Sequence, residues 1–416
     1  MEGEAKGPTY AAAFECLGPA CEDHCCRGWG IPVDRGTYAQ YVRFPAEGLG
    51  EVVARSVVVS PAGAPEEMFA EIKPLGTGLC PFFGADRLCG IQKEYGGSLL
   101  SATCSIFPRA LNRVEGRLEG SLMMSCPEAA RKVLLQPGFL EIEGDLNAGA
   151  FRTDNSFCLG TNGPGLPYKP YEHYGLIRRW MVATVKDRSR PLWQRVLLIG
   201  YLCLQLQAVE TAEGVPAMLA EYGRVLASDW GMREFAAMEG QPETQLNAIL
   251  WLTNQRIALK GCGTRFQETY WAFIEGIGSP LGAAPPGDDL LRYQEATRQI
   301  YKPFFARQPH VLENYLLNAM FQNLFPFGNE GSLRSAPRSI VAEYLLMATK
   351  FAWVKGLMIG VAGRYGEDFG EEQVVRTIQS FSREVEHDGS FLETMMGYMR
   401  EQGMDNLKGV AVMLKE

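Results

Sequence analysis

The chain has 416 residues, of which 46% are hydrophobic and 21% charged. That length suits two or three domains, and the composition is that of an ordinary soluble globular protein whose core needs no metal or disulfide as a substitute. A net charge of -8 argues against general nucleic-acid binding, which needs basic patches to neutralise phosphates, and is compatible with a basic partner such as a lysine-bearing protein.

The amino terminus, MEGEAKGPTYAAAFECLG, opens on mostly acidic charges with no long apolar run, so no secretory signal is expected. The first third is rich in Gly and Pro and has short periodic segments. Asp34 and Thr37, in DRGTY, read as a turn and helix cap. Residues 51–59, EVVARSVVV, read as a strand from their β-branched content. Residues 110–124 read as a hairpin turning near Glu115 and Gly116. The expectation for residues 1–143 is a compact, loop-rich module with a small antiparallel sheet. Residues 144–170 are polar and punctuated by Gly and Pro, as a connector would be.

From 171 to 416 the pattern turns helical. Residues 193–209 are apolar around most of a helix circumference, and residues 242–259 are amphipathic with Pro at the start. Residues 311–325 and 340–361 read as long apolar helices, and 371–388 as a helix with acidic residues at its positive end. Residues 340–361 are the most membrane-like, but Glu343, Lys350 and Lys355 would have to be buried or paired in a bilayer. They read as a core helix, with no transmembrane segment expected. The fold class expected is α+β, mainly α.

Eight of the 11 cysteines lie at or before Cys126. Cys16, Cys21, Cys25 and Cys26 form the first cluster, in CLGPACEDHCC. Cys80 and Cys89 form the second, in CPFFGADRLC, and Cys104 and Cys126 follow. In a reducing compartment, closely spaced thiols are metal ligands more often than disulfides. Thiolates are soft donors for zinc, Cu(I) and iron–sulfur clusters, and short spacings let one turn present two sulfurs. Cys80 and Cys126 are each followed by Pro, which stiffens the turn, and Gly28 allows a backbone conformation that other residues resist. The ligands read from this pattern are Cys21, Cys25, Cys26, Cys80, Cys89, Cys104 and Cys126, with Cys16 at the edge.

Structural zinc prefers paired short spacings and four ligands per ion, whereas iron–sulfur clusters accept irregular spacing. The long later spacings favour an iron–sulfur cluster of the 4Fe-4S type; zinc is the alternative, with His24 and His173 the nearby imidazoles. One centre or two would fit eight thiols. A motif of three cysteines spaced three and then two residues apart, the usual radical-SAM arrangement, fails because Gly28 stands where the third cysteine is required. Cys158, Cys203 and Cys262 read as buried small apolar residues.

Several stretches carry a resemblance: 14–38 (FECLGPACEDHCCRGWGIPVDRGTY), 80–109 (CPFFGADRLCGIQKEYGGSLLSATCSIFPR), 121–135 (SLMMSCPEAARKVLL) and 313–327 (ENYLLNAMFQNLFPF). On these the chain resembles the flagellin lysine N-methylase family, within the wider group of cysteine-rich zinc- or iron-chelating domain proteins. The resemblance implies a cytoplasmic protein-lysine methyltransferase that uses S-adenosylmethionine (SAM), carries a cysteine-bound iron–sulfur cluster and acts on surface lysines of flagellin or a similar protein. The residues add little to that activity on their own. No strand leads into a G-x-G loop and helix of the kind that holds SAM in a doubly wound sheet, and the Gly-rich stretches near Gly160 and Gly276 lack a preceding buried strand.

Trp29 reads as a core anchor or as a lid over the metal. Arg109 could bind an anion such as the SAM carboxylate through its planar fork, or make a structural salt bridge. Glu313, Asn314 and Tyr315 could orient or deprotonate a lysine amine, or form a polar stripe between helices. His310 and His387 are expected at helix ends, facing solvent. No Ser/His/Asp or Cys/His set points to a hydrolase. The competing function is a metal-binding or redox module, without methyl transfer, whose helical domain binds a partner.

Overall fold

The computed structural model describes residues 5–138, 143–145, 156–162, 168–228, 233–235, 237–259, 262–278, 288–328 and 338–416. Most of the expected connector lies outside them. Chain contacts divide the protein into one unit of Met1–Lys132 with Leu140–Ser156 and a second of Val133–Phe139 with Phe157–Glu416.

The first unit holds two sheets. In one, β1 (Ala5–Pro8) lies between β7 (Glu143–Asp145), antiparallel to it, and β6 (Arg117–Leu122), parallel to it. β6 pairs in turn with β5 (Arg109–Val114) in an antiparallel hairpin whose register runs from Arg109 opposite Leu122 to Val114 opposite Arg117. The two-residue turn falls where the sequence places it. Glu115 and Gly116 have φ of 48° and 77°, the left-handed pair that a tight hairpin needs to match strand twist. The parallel β1–β6 pair departs from the all-antiparallel expectation. It is open to this chain because more than a hundred residues separate the two strands, far beyond the dozen or so a parallel crossover requires.

The second sheet is a small antiparallel one, ordered β2 (Ile31–Val33), β4 (Ala70–Ile72), β3 (Val57–Val59). Only the last three residues of 51–59 are strand. The rest belong to a helix, Leu49–Ser56. The β-branched composition misleads there, because burial follows helical spacing: Val53 is buried, Leu49, Val52 and Ser56 are half-buried, and Glu51, Ala54 and Arg55 are exposed. The helix Arg35–Tyr41 begins as expected, with Asp34 accepting the Thr37 N–H at 2.8 Å and the Thr37 hydroxyl at 2.7 Å. Ile31, Val33, Tyr41, Val53, Val57, Ile72, Phe82, Ile91 and Leu100 close one apolar core over this sheet.

The second unit is mainly helical among its described residues, apart from the short strand Phe157–Cys158. Its helices include Tyr174–Lys186, Leu192–Gln207, Gly214–Ala227, Pro242–Ala258, Thr264–Gly276, His310–Gln322, Ile340–Tyr365, Glu371–Phe381, Gly389–Glu401 and Leu407–Leu414. Ile340–Tyr365 is the axis. Ser339 caps it by accepting the Ala342 N–H, and Gly366 ends it with φ 58°. It is long and apolar enough to cross a membrane, yet the segment is buried inside the helical unit. Its charges are absorbed there: Lys355 meets Glu416 at 2.7 Å, and Lys350 meets Glu386 at 3.7 Å. The acidic-capped helix is shorter than expected. It ends at Phe381 and widens into a π-turn over Ser382–Glu386.

Candidate metal centre

All eight N-terminal cysteines are free thiols in the first unit. Their loops are joined by backbone hydrogen bonds. Cys80 N–H donates to the Cys26 carbonyl at 2.9 Å, Gly28 N–H to Gly78 at 2.8 Å and Gly90 N–H to Phe82 at 2.8 Å. Bridges pair Arg27 with Leu79 and Phe83 with Cys89. Gly28 sits at φ 91°, where a side chain would be strained, so the expectation for that glycine holds. Trp29 packs against the apolar core, and its indole N–H donates to the Cys25 carbonyl at 2.8 Å. It acts as an anchor for the loop that carries two thiols.

Charge on Cys25, Cys80 and Cys89 bears on both Cys26 and Cys104, and charge on Cys21 and Cys25 bears on Cys126. Burial and these like charges push the thiols up: Cys80 to about 11, Cys104 to about 12 and Cys126 to about 12. Cys26 is raised most, first by its hydrogen bond with Cys25 and then by burial. Such thiols lose their protons readily only to a cation that compensates the charge.

One feature went unread in the sequence. At Cys16 the Gly18 N–H donates to the sulfur at 3.4 Å, and backbone N–H groups two or three residues on lower the thiol pKa, against burial, at Cys21 (Asp23), Cys80 (Phe82), Cys89 (Gln92, then Ile91) and Cys126 (Ala129, then Glu128). An N–H aimed at sulfur favours the thiolate, so these turns are shaped for negative charge. Cys126 stands just before the helix Pro127–Leu135, and its carbonyl accepts from Ala130 N–H at 2.9 Å. Pro127 thus occupies the first helical position, where its missing N–H costs nothing, and the next N–H is left for the sulfur. The Cys-Pro pairs were the available signal for these turns.

The donor set therefore fits a thiolate-ligated soft metal in its chemistry and in its N–H surroundings. Among the described residues, no three His, Cys, Asp or Glu side chains stand close enough together to hold an ion as placed. His24 lies tilted against Phe83, with 4.3 Å between ring centroids. His173 lies in the other unit, with Nε2 at 2.9 Å from the Ala212 carbonyl.

Arg109 is half-buried. Its Nη2 donates to the Phe14 carbonyl at 3.4 Å, and its guanidinium lies 5.2 Å from the Phe14 ring centroid. Burial lowers its pKa, against a smaller opposing effect of charge on Cys16. The three polar residues of helix His310–Gln322 are engaged in packing. The Glu313 carboxylate accepts from Arg188 at 2.7 Å and from Arg195 at 2.8 Å. Asn314 Nδ2 donates to the carbonyls of Val133 (3.0 Å), Leu134 (3.3 Å) and Gln136 (2.9 Å), closing the last turn of a helix. The Tyr315 hydroxyl donates to Glu386 at 3.2 Å.

His387 is exposed as expected. His310 is half-buried, and its Nε2 has no hydrogen-bond partner. Of the three downstream cysteines only Cys203 is buried as expected; Cys262 is intermediate and Cys158 is exposed, because its short strand turns the side chain outward. Gly276 is where two helices touch, since a Cβ there would stand 1.8 Å from the Gly360 carbonyl oxygen.

Residues 178–413, more than half of the chain, match the family described as the FliB lysine N-methylase C-terminal domain. Over 131 residues the chain is 35% identical to the flagellar biosynthetic protein FliU of Salmonella muenchen, covering 31% of this chain and 76% of that protein. It is likewise 35% identical over 131 residues to the lysine-N-methylases of Salmonella choleraesuis and Salmonella typhimurium. There the match spans 31% of this chain and only 32% of those enzymes. No solved structure matches. The chain belongs to the FliB lysine N-methylase family.

Proposed function

We propose that this protein is a cytoplasmic, SAM-dependent protein-lysine N-methyltransferase that acts on a flagellin-like protein and carries a cysteine-ligated iron–sulfur cluster. The observation that carries the reading is the family match across residues 178–413. The thiol-rich first unit supports the cluster through its donor set and through the N–H groups aimed at sulfur.

SAM supplies an electrophilic methyl group, which a neutral lysine amine can take by direct displacement. A cluster, held by thiolates of the first unit such as Cys21, Cys25, Cys26, Cys80, Cys89, Cys104 and Cys126, would supply a redox-active centre and cross-link the loops. What the chain itself does follows from its contacts. Cys26, Cys80, Cys89 and Cys104 line an apolar core that excludes water, and Trp29 fixes the loop between Cys26 and the first strand of the small sheet. Arg109, half-buried against Phe14, is a cation suited to a carboxylate. Glu313, Asn314 and Tyr315 hold helices together in this reading and take no part in proton transfer. Among the described residues there is no doubly wound parallel sheet, so a SAM site on this chain would be built differently.

The test is anaerobic reconstitution of the full chain with iron and sulfide, followed by a SAM titration and by transfer of labelled methyl groups to flagellin. SAM binding and label on lysine are expected. Fully loaded protein that binds no SAM would return the chain to the metal-binding or redox alternative. Colourless protein loaded with zinc would remove the cluster and leave methyl transfer to be judged on the label alone.

A further inference from the structure

Tyr41 ends the helix Arg35–Tyr41 and is 1% exposed. Its ring centroid stands 5.5 Å from that of Phe44 and 6.3 Å from that of Phe82. The hydroxyl is buried with the ring and has no hydrogen-bond partner. A polar group that gives up water for nothing destabilises a fold, and phenylalanine would fill the same space without that cost. Burial first, then the charge of Cys104 and Cys89, pushes the phenol above its ordinary value of 10.0, so it stays a neutral donor.

What this donor can meet is limited. Tyr41 belongs to the apolar core that contains Cys80, and Cys26, Cys89 and Cys104 pack against the same core. Phe82, whose ring neighbours Tyr41, follows Cys80 by two residues, and its carbonyl accepts the N–H of Gly90, next to Cys89, at 2.8 Å. The other hetero-atoms among the apolar and aromatic side chains of this core are the Trp29 indole N–H, spent on the Cys25 carbonyl, and the half-buried Tyr38 phenol. Asp34, at the start of the helix that Tyr41 ends, accepts from the Thr37 N–H and hydroxyl. The sulfurs are the acceptors that this core offers.

We propose that Tyr41 is a positioning residue for thiolate-bound metal in the first unit: its hydroxyl donates a hydrogen bond to a sulfur of Cys26, Cys80, Cys89 or Cys104 when those thiolates carry metal. The proposal rests on the reading that these thiols bind a soft metal. As placed, no three of the described ligand groups stand close enough together to hold an ion, so loading has to draw sulfurs together. It also turns thiols into thiolates, which accept hydrogen bonds far better. The bond from Tyr41 fixes a ligand and withdraws charge from its sulfur, which in an iron–sulfur cluster favours the reduced state.

The experiment compares the full wild-type chain with Tyr41→Phe and, as a control, Tyr38→Phe, whose half-buried ring meets Phe69 instead. Each is reconstituted anaerobically with iron and sulfide, and iron, zinc and acid-labile sulfide are counted per chain. Before loading, hydrogen exchange across Arg35–Tyr41 is expected to be no faster in Tyr41→Phe than in the wild type, because the variant loses only an unpaired hydroxyl. After loading, Tyr41→Phe is expected to hold the same amount of metal and to release it to a water-soluble chelator roughly tenfold faster. Its reduction midpoint is expected to fall below that of the wild type, with Tyr38→Phe unchanged in both respects. Loaded Tyr41→Phe with wild-type release and midpoint overturns the role of Tyr41 and leaves the metal reading in place. Faster exchange before loading also overturns it, since the hydroxyl would then have a partner within the protein itself. Wild-type protein that binds no metal overturns both. If the metal is zinc, the release rate decides by the same comparison.

Discussion

Glu313 is 4% exposed, and its partner Arg195 is equally deep, whereas Arg188 on the other side of the carboxylate is mostly in water. Removing a buried partner strands the opposite charge in a poor dielectric. Glu313→Ala is therefore expected to cost about 3–5 kcal/mol. Arg188→Ala removes only an exposed partner and is expected to cost about 1 kcal/mol or less. Urea unfolding of both variants decides it; equal costs would mean that the pair with Arg195 is not formed in solution. Glu343 gives a pH signature. Burial pushes its carboxyl above the ordinary value of 4.5, against the pull of Arg338, Lys350 and Lys169. The folded state then holds the proton more tightly than the unfolded chain, so stability falls as pH rises from about 4.5 through the raised value. Glu343→Gln is expected to be more stable than wild type at pH 7 and equal to it at pH 4. A gain that persists unchanged at pH 4 would assign the effect to packing of the amide rather than to removal of the charge.

Helices Thr264–Gly276 and Ile340–Tyr365 meet through glycine. A Cβ on Gly360 would stand 2.2 Å from the Phe273 ring, and one on Gly363 would stand 2.6 Å from the Gly276 carbonyl oxygen. Backbone cannot retreat as a side-chain tip can, so Gly360→Ala is expected to destabilise by about 1–3 kcal/mol through overpacking. Gly397, in Gly389–Glu401, has no neighbour within 4 Å of such a Cβ. Gly397→Ala is expected to stabilise by about 0.5–1 kcal/mol, because alanine loses less backbone freedom in a helix. Thermal melts of the two variants should move in opposite directions; parallel shifts would argue against the close helix approach.

The two units differ in their cores. The helical unit has a core of large apolar side chains around Trp353, Phe273 and Phe381, whereas the thiol-bearing unit closes a smaller core with short strands and loops. If metal binding cross-links those loops, the binding free energy is part of that unit's folding free energy. Chelation under anaerobic conditions is expected to increase hydrogen exchange throughout Met1–Lys132 and to leave Ile340–Tyr365 protected. Exchange that rises equally in both would show that the thiol unit does not draw its stability from metal.

The order of the chain was legible where chemistry is local. The Glu115–Gly116 turn, the Asp34 cap, the apolar helix from Ile340 and the family resemblance all depend on residues adjacent in sequence or repeating at a fixed period. Three matters were decided only by tertiary structure. Burial at helical spacing overrode the β-branched composition of Leu49–Ser56. Partners far along the chain, Arg188, Arg195 and Glu386, engage Glu313 and Tyr315 in ion pairs and a hydrogen bond that local sequence does not show. The division of the thiols by apolar packing could not be read from spacing, since Cys26 and Cys104 are 78 positions apart and share one core, while Cys25 and Cys26 are neighbours and do not. Spacing along a chain limits what can meet in a turn; which distant side chains share a solvent-free interior depends on how the elements pack.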